Sequence, residues 1–456
     1  MTTYSLRRVL PATVPLALHD AAASKTIERM EQSQLAPFSL MARAGDAVAG
    51  LSRAVAPHAR KVVVLAGPGN NGGDGLVAAA ALVRFGIKPS VHLIGDAGRL
   101  PTDAAQALQR ARDSGCDICT EQPRQLDADL IVDALLGLGA SRAPDGPVAD
   151  AMAWAAGLRE RQSTVILAVD LPTGLNPDTG QPWGDIVVRA DHTLSLLTLK
   201  PGLFTGQGRT FCGQVWWDAL GCGPHDQQAS AWLTAGDGGA SESARDGHQG
   251  HKGRYGDVVV VGGAQGMSGA ALLAARAALS SGAGRVYLVA LDPAATGIDT
   301  ARPELMHRSL DLLRHPADWS AATVVAGCGA GQGIAAHLPV LLHQAPRLVL
   351  DADALNAIAA ETALQSTLRS RHVRGRPTIL TPHPLEAARL LATTTALVQA
   401  DRVQAATELA EMMQCTVLLK GSGSVIASMD ALPWINSTGN GRLATAGTGD
   451  VLAGWT

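Results

Sequence analysis

Aromatic residues are scarce in this 456-residue chain, where eight Trp, four Phe and three Tyr make up 3%. Cores organised around stacked rings are thereby excluded, so the 46% of hydrophobic residues must pack mostly as Ala, Val and Leu. An excess of either charge is also missing. Lys and Arg number 37 against 40 Asp and Glu, a net charge of −3, which leaves no general basic field for nucleic acid. No uninterrupted apolar run reaches the roughly 18 residues of a membrane span. Pro11 and Pro15 interrupt the mildly apolar stretch after Arg7 and Arg8, which does not read as a signal peptide. Cysteines number only six, and Cys116 and Cys119 form a single CxxC with no second pair to complete a zinc site. Reduced, partly buried cysteines of a cytoplasmic protein are the expectation, with neither nucleic acid nor membrane as partner.

What is abundant is glycine, at 50 residues, and proline, at 24, so turns are many. The length predicts two to four domains. Residues 18–56 carry apolar positions at helical spacing and predict two helices joined near Pro37. Apolar strands then alternate with helices. Strands are expected at 61–66, 90–94, 129–136, 164–170, 192–199 and 214–218, with helices at 75–85, 103–114 and 148–160. This alternation predicts an α/β fold, a parallel sheet covered on both faces.

The run Gly67-Pro-Gly-Asn-Asn-Gly-Gly-Asp-Gly75 links the first strand to the first helix, where α/β sheets bind phosphate on backbone N–H groups. It is neither GxGxxG nor a Walker A loop. Two further strand ends, at Asp133 and at Asp170-Leu-Pro-Thr-Gly174, should open on the same crevice. Oxygens of Asn71, Asp133 and Thr173 suit a hard monovalent cation, leaving Asp170 as an acid/base. Lys200 either reaches this site or is solvated.

Residues 223–251 are rich in Gly, Ser and charge and lack periodicity, which predicts a linker with solvated histidines. A second α/β block follows from 252, with strands at 257–261, 285–290, 323–326, 347–350, 378–380 and 416–419. Gly327-Cys-Gly-Ala-Gly331 should open a helix, and His383 fits either a helix start or a ligand. Lys420-Gly-Ser-Gly-Ser424 offers an ammonium and turn N–H groups to nucleotide phosphates. Near the end, Ala446-Gly-Thr-Gly-Asp450 leads into an apolar segment. A helix starting there would aim N–H groups and a partial positive charge at an anion, with Asp450 beside it to deprotonate a hydroxyl.

These stretches resemble two known families. Leu40–Gly45, Gly67–Gly75, Val132–Gly139, Asp170–Gly174 and Thr198–Gly202 resemble the NAD(P)H-hydrate epimerase domain. Lys252–Gly256, Gly262–Ala270, Ala301–Met306, Asp351–Asn356, Thr381–Glu386, Lys420–Ser424 and Asn436–Gly454 resemble the ADP-dependent NAD(P)H-hydrate dehydratase. The resemblance implies an N-terminal Rossmann-like three-layer sandwich over 1–222, a linker over 223–251 and a C-terminal ribokinase-like domain over 252–456. It implies epimerase contacts to NADHX or NADPHX by Asn70, Asn71, Gly72, Gly73, Asp74, Gly137, Leu138, Gly139, Ala140, Ser141, Arg142, Ala143 and Asp170. Potassium would lie on Asn71, Asp133 and Thr173. In the dehydratase, Ala270, Gly329, Gly331, His383 and Asp450 would contact the hydrate, and Lys420, Gly421, Ser422, Gly423, Ser424 and Gly449 the nucleotide. Asp170 and Asp450 are the implied catalytic residues, with Mg2+ and ADP as phosphoryl donor and AMP and phosphate released. A homo-oligomer is expected. Ser424, Leu385 and Cys328 stand where Thr, Gly and Pro are usual. Family members continue beyond the position matching Thr456, so a truncated C-terminus is expected. The competing reading is a ribokinase-type small-molecule kinase fused to a dinucleotide-binding domain.

Overall fold

The computed structural model describes residues 6–121, 127–236, 250–295 and 297–456. The chain divides into two compact units, Met1–Gly236 and Asp237–Thr456.

In the first unit, five consecutive parallel strands, Ser90–Leu93, Val62–Ala66, Leu130–Ala134, Val165–Val169 and His192–Leu196, form the middle of an eight-stranded sheet. Gln214–Asp218 continues it in parallel and Arg7–Arg8 closes that edge antiparallel, while Asp117–Cys119 forms the other edge. Strand residues alternate between two cores. Val62, Val64 and Ala66 face the helices Ser39–Val55, Asn70–Arg84 and Thr102–Asp113, whereas Val63 and Leu65 face Gly146–Arg161. A sheet buried on both sides needs apolar residues at every position, which explains the continuous Val-Val-Val-Leu-Ala run. This is a three-layer sandwich.

The second unit repeats the plan. Met306–Arg308, Arg285–Ala290, Asp257–Gly262, Thr323–Ala326, Arg347–Leu350, Thr378–Leu380 and Thr416–Leu419 run parallel in that order, and Val425–Ala427 and Trp434–Ile435 add antiparallel strands. Val259, Val261, Val324 and Leu350 belong to the larger core under the helices of residues 338–413. Val260, Val325 and Val349 pack instead toward Ser268–Ser280 and Ala453.

Several expectations shift. The helix expected at Gly75 starts at Asn70, so the Asn-Asn-Gly-Gly-Asp run is the helix's opening rather than a loop before it. Its glycines permit this: a Cβ at Gly72 would lie 2.0 Å from the Gly67 carbonyl oxygen, and one at Gly75 would lie 2.6 Å from Ala134 Cβ. The stretch expected as linker is built into the first unit as far as Gly236. Ala231–Leu233 pairs antiparallel with Leu16–Leu18, and His225 lies against Glu31 at 3.2 Å instead of in solvent. Most of the remaining linker, His248 included, lies outside the described residues. The helix expected to open at Gly327–Gly331 is preceded by a 3-10 turn, Gly331–Ala336, and the α-helix proper is Leu338–Gln344.

Candidate functional site

Two centres form, one at the strand ends of each unit. In the first unit the strand ends surround a pocket of about 450 Å³. Asn70, Asn71 and Asp74 line it from the helix start, Gly137, Leu138, Gly139 and Ala140 from the loop after Leu130–Ala134, and Asp170 from the end of Val165–Val169. Ser141, Arg142 and Ala143, expected as contacts, are not among the lining residues, and the Arg142 side chain is 82% exposed beside Asp145. Gly72 and Gly73 are buried against Gly67 and Met41 and serve helix packing.

Asp170 adopts a left-handed backbone, φ 65°, a conformation disfavoured for a residue with a Cβ. Leu196 N donates to Oδ1 at 3.1 Å, and Lys200 Nζ forms a short ion pair with the same oxygen. Lys200 is fully buried, and its ammonium also donates to Leu196 O at 3.0 Å, Thr198 O at 2.9 Å and Ser195 Oγ at 3.3 Å. The solvated alternative for Lys200 is therefore corrected. The chain after His192–Leu196 folds the lysine back beneath Asp170, a turn that the sequence pattern does not display.

Asp74 and Glu28 share this pocket. Burial, then the Asp170 carboxylate, raises both of their carboxyls above the ordinary range. Glu28, on Ala21–Gln34, went unmarked in the sequence because an exposed-looking helical Glu carries no motif.

Beneath the pocket, Asp133 is 1% exposed. Its Oδ2 accepts from Thr173 N at 2.9 Å and its Oδ1 from Thr173 Oγ1 at 2.7 Å. Burial still pushes its carboxyl up to about 6 against these bonds. No cationic side chain pairs with it among the described contacts. The buried Asn71 Nδ2 has no hydrogen-bond partner. A buried carboxylate without a counter-charge, flanked by hydroxyl and amide groups, fits a monovalent cation.

In the second unit, helix Thr448–Trp455 starts at Gly447, which takes φ 90°. Asp450 lies in its first turn, its carboxyl raised by burial and then by Asp351. Lys420 Nζ pairs with Asp351 Oδ1 at 2.7 Å, and Thr381 Oγ1 donates to that oxygen at 2.9 Å. A Cβ on Gly449 would lie 3.2 Å from Lys420 Nζ, so glycine lets the ammonium reach the helix start. Helix dipole and ammonium converge at the helix start, an arrangement that suits an anion.

Lys420, Gly421, Ser422, Gly423 and Ser424 form the turn between Thr416–Leu419 and Val425–Ala427. Buried Arg402, unmarked in the sequence, holds it by donating to Leu419 O at 3.2 Å and Lys420 O at 3.1 Å.

His383 caps helix Pro384–Leu390. Its Nδ1 accepts from Leu385 N at 3.1 Å and Glu386 N at 3.2 Å, and Glu386 Oε2 accepts from His383 N at 2.8 Å. Burial lowers the imidazole's pKa, consistent with the neutral ring that this capping requires. Ala270 sits in the third position of Ser268–Ser280, where a Cβ on Gly329 would approach its own Cβ to 2.7 Å. Gly331 N donates to Asp353 Oδ2 at 2.8 Å.

The comparisons with known proteins divide the chain in the same way. Residues 37–202 match the family described as YjeF-related protein N-terminus, and residues 258–456 match NAD(P)H-hydrate dehydratase. The bifunctional NAD(P)H-hydrate repair enzyme Nnr of Escherichia coli is 35% identical over all of this chain and 87% of its own length. Its counterpart in Coxiella burnetii is 35% identical over 94% of this chain and 87% of its own length. Among solved structures, an ADP/ATP-dependent NAD(P)H-hydrate dehydratase from Bacillus subtilis, co-crystallized with ATP/Mg2+, is 30% identical. It covers 48% of this chain and 76% of its own, with a TM-score of 0.39. With an epimerase-type unit followed by a dehydratase-type unit, the chain belongs to the family of bifunctional NAD(P)H-hydrate repair enzymes.

Proposed function

We propose that the Asp170 pocket is the epimerase centre of this bifunctional NAD(P)H-hydrate epimerase and dehydratase, and that the Asp450 helix start is its dehydratase centre. The carrying observation is Asp170 itself, held in a left-handed backbone at the pocket wall by a fully buried lysine. Lys200 pairs with the Asp170 carboxylate, while burial and then Asp170 raise the Asp74 carboxyl in the same cavity. Inverting the hydroxyl-bearing carbon of NADHX or NADPHX needs both a proton acceptor and a donor, and the pocket supplies a candidate for each. Asn70, Asn71 and Gly137–Ala140 orient the substrate around them. Potassium on Asn71, Asp133 and Thr173 would supply the charge that the buried Asp133 lacks.

In the second unit, Asp450 takes the proton from the hydrate's hydroxyl as that oxygen attacks the nucleotide's terminal phosphorus. The amides at Gly447–Gly449 and the Lys420 ammonium face the charge that develops on the phosphoryl oxygens. Ala270, Gly329, Gly331 and the neutral His383 border the hydrate, and the Lys420–Ser424 turn borders the nucleotide. Mg2+ when bound neutralises the nucleotide phosphates. Departure of phosphate from the hydroxyl-bearing carbon, with loss of a proton from the neighbouring ring carbon, then restores the reduced nicotinamide, and ADP as donor leaves AMP.

The test is turnover of an R/S mixture of NADHX by the purified protein with ADP or ATP and Mg2+. It is run after exhaustive dialysis, with K+ restored or withheld. Reduced-nicotinamide absorbance should return, and epimerisation should be faster with K+. A phosphorylated product that persists without returning absorbance overturns the dehydratase assignment. Indifference of epimerisation and cofactor affinity to every monovalent cation reduces Asn71, Asp133 and Thr173 to a structural cluster.

A further inference from the structure

Beside Asp450, the fold gathers groups that phosphoryl transfer does not call for. Cys328 follows strand Thr323–Ala326, Asp351 ends strand Arg347–Leu350, and Asp450 begins the helix Thr448–Trp455. One ligating atom from each lies within 4.8 Å of the other two, the one such cluster among the described residues. Cys328 and Asp351 are each 1% exposed, and Asp450 is half-buried, which leaves an approach from its side. The two oxygens of Asp351 are used unequally. Oδ1 takes both the Lys420 and the Thr381 bonds, whereas Oδ2 meets only the Cys328 thiol, at 3.9 Å, among the described contacts. A carboxylate oxygen this deeply buried ordinarily has a closer partner. Lys420 is also the only cationic side chain paired with Asp351 or Asp450 among the described ion pairs, so the cluster has more negative than positive groups.

We propose that Cys328, Asp351 and Asp450 form an inhibitory site for a borderline-soft divalent cation such as Zn2+ or Co2+. One sulfur and two carboxylate oxygens are the donor types such ions take, at about 2.3 Å for sulfur and about 2.0–2.2 Å for oxygen. Side-chain rotation that draws the three atoms inward by roughly an ångström supplies that geometry and leaves a fourth position to water. Binding releases the thiol proton to solvent and forms a sulfur–metal bond, with no change of oxidation state. Mg2+ does not compete effectively here, because it prefers oxygen donors in octahedral array. The bound ion occupies the carboxylate assigned above as the base, so dehydration stops. The inhibitory consequence rests on that assignment of Asp450, whereas the metal site itself does not.

The probe is Co2+ added to the protein without substrate, followed by absorption spectroscopy. Thiolate-to-cobalt charge transfer and tetrahedral d–d bands should appear, and Cys328→Ser and Cys328→Ala should each lose that component. The difference between unmodified protein and variant removes contributions from the other five cysteines. In parallel, dehydration at fixed Mg2+ is titrated with Zn2+. Each variant, scored against its own uninhibited rate, should need about tenfold more Zn2+ or higher, since losing even an outer partner of a metal site costs about 10–100-fold in affinity. Absence of the cobalt bands from unmodified protein, or equal bands in both folded variants, overturns the site. Cys328-dependent bands without any Zn2+ effect on dehydration keep the metal site and overturn its inhibitory role.

Discussion

Lys200 and Asp170 are partners, yet each is left in a different state when the other is removed. Without Asp170, the Lys200 ammonium retains Leu196 O, Thr198 O and Ser195 Oγ. Without Lys200, the Asp170 carboxylate retains only Leu196 N among the described side-chain bonds, at 8% exposure. Stranding a buried charge costs about 3–5 kcal/mol. Asp170→Asn strands the fully buried ammonium on neutral acceptors and Lys200→Met strands the carboxylate, so each should lose stability of that order in urea denaturation. Unchanged stability in both variants would show that the pair does not support the fold.

The element that carries Asp450 is an eight-residue helix, Thr448–Trp455, too short to persist by propensity alone. Packing holds it. Ala453 is fully buried, and a Cβ on Gly454 would come within 2.0 Å of the Ala274 carbonyl oxygen on Ser268–Ser280. The two helices touch backbone to backbone there, so Gly454→Val must push them apart. Overpacking of this kind costs about 1–3 kcal/mol, and the upper end applies because the obstacle is main chain. Dehydration should fall with Gly454→Val while epimerisation continues. Unchanged dehydration kinetics would mean that Asp450 does not depend on this docking. The helix Asn70–Arg84 likewise needs glycine against main chain, where a Cβ on Gly72 would lie 2.0 Å from the Gly67 carbonyl oxygen, and the sequence pattern located its apolar body but missed its first five residues. Strands of two or three residues, such as Arg7–Arg8 and Met306–Arg308, escaped because alternation cannot be read over so short a window.

At the scale of the whole molecule, each unit has its own cores, and the two proposed acid/base residues, Asp170 and Asp450, fall in different units. The losses on substitution should accordingly differ in kind. Asp450→Asn keeps shape and removes the base, so dehydration should drop by about two or more orders of magnitude while epimerisation persists. Asp170→Asn should consume the S epimer of an R/S mixture quickly, then slow to the rate of spontaneous R-to-S conversion. A single fast phase consuming the whole mixture would remove the epimerase role from the first unit.

The sequence by itself determined the α/β class, the two-unit division and the family, because continuous apolar runs specify strands buried on both faces and the Gly67–Gly75 and Thr448–Asp450 stretches carry their chemistry locally. It also marked Asp133, Asp170 and Asp450, each at a strand end or helix start. Only the tertiary structure decided the electrostatic state of those groups. Burial of Lys200 beneath Asp170, the raised carboxyls of Glu28 and Asp74, and the meeting of Cys328, Asp351 and Asp450 depend on chain folding back between distant positions. Strand order puts Thr323–Ala326 beside Arg347–Leu350, and helix docking then brings Asp450 to both. Burial and through-space charge are properties of that assembly, and no local run of residues encodes them.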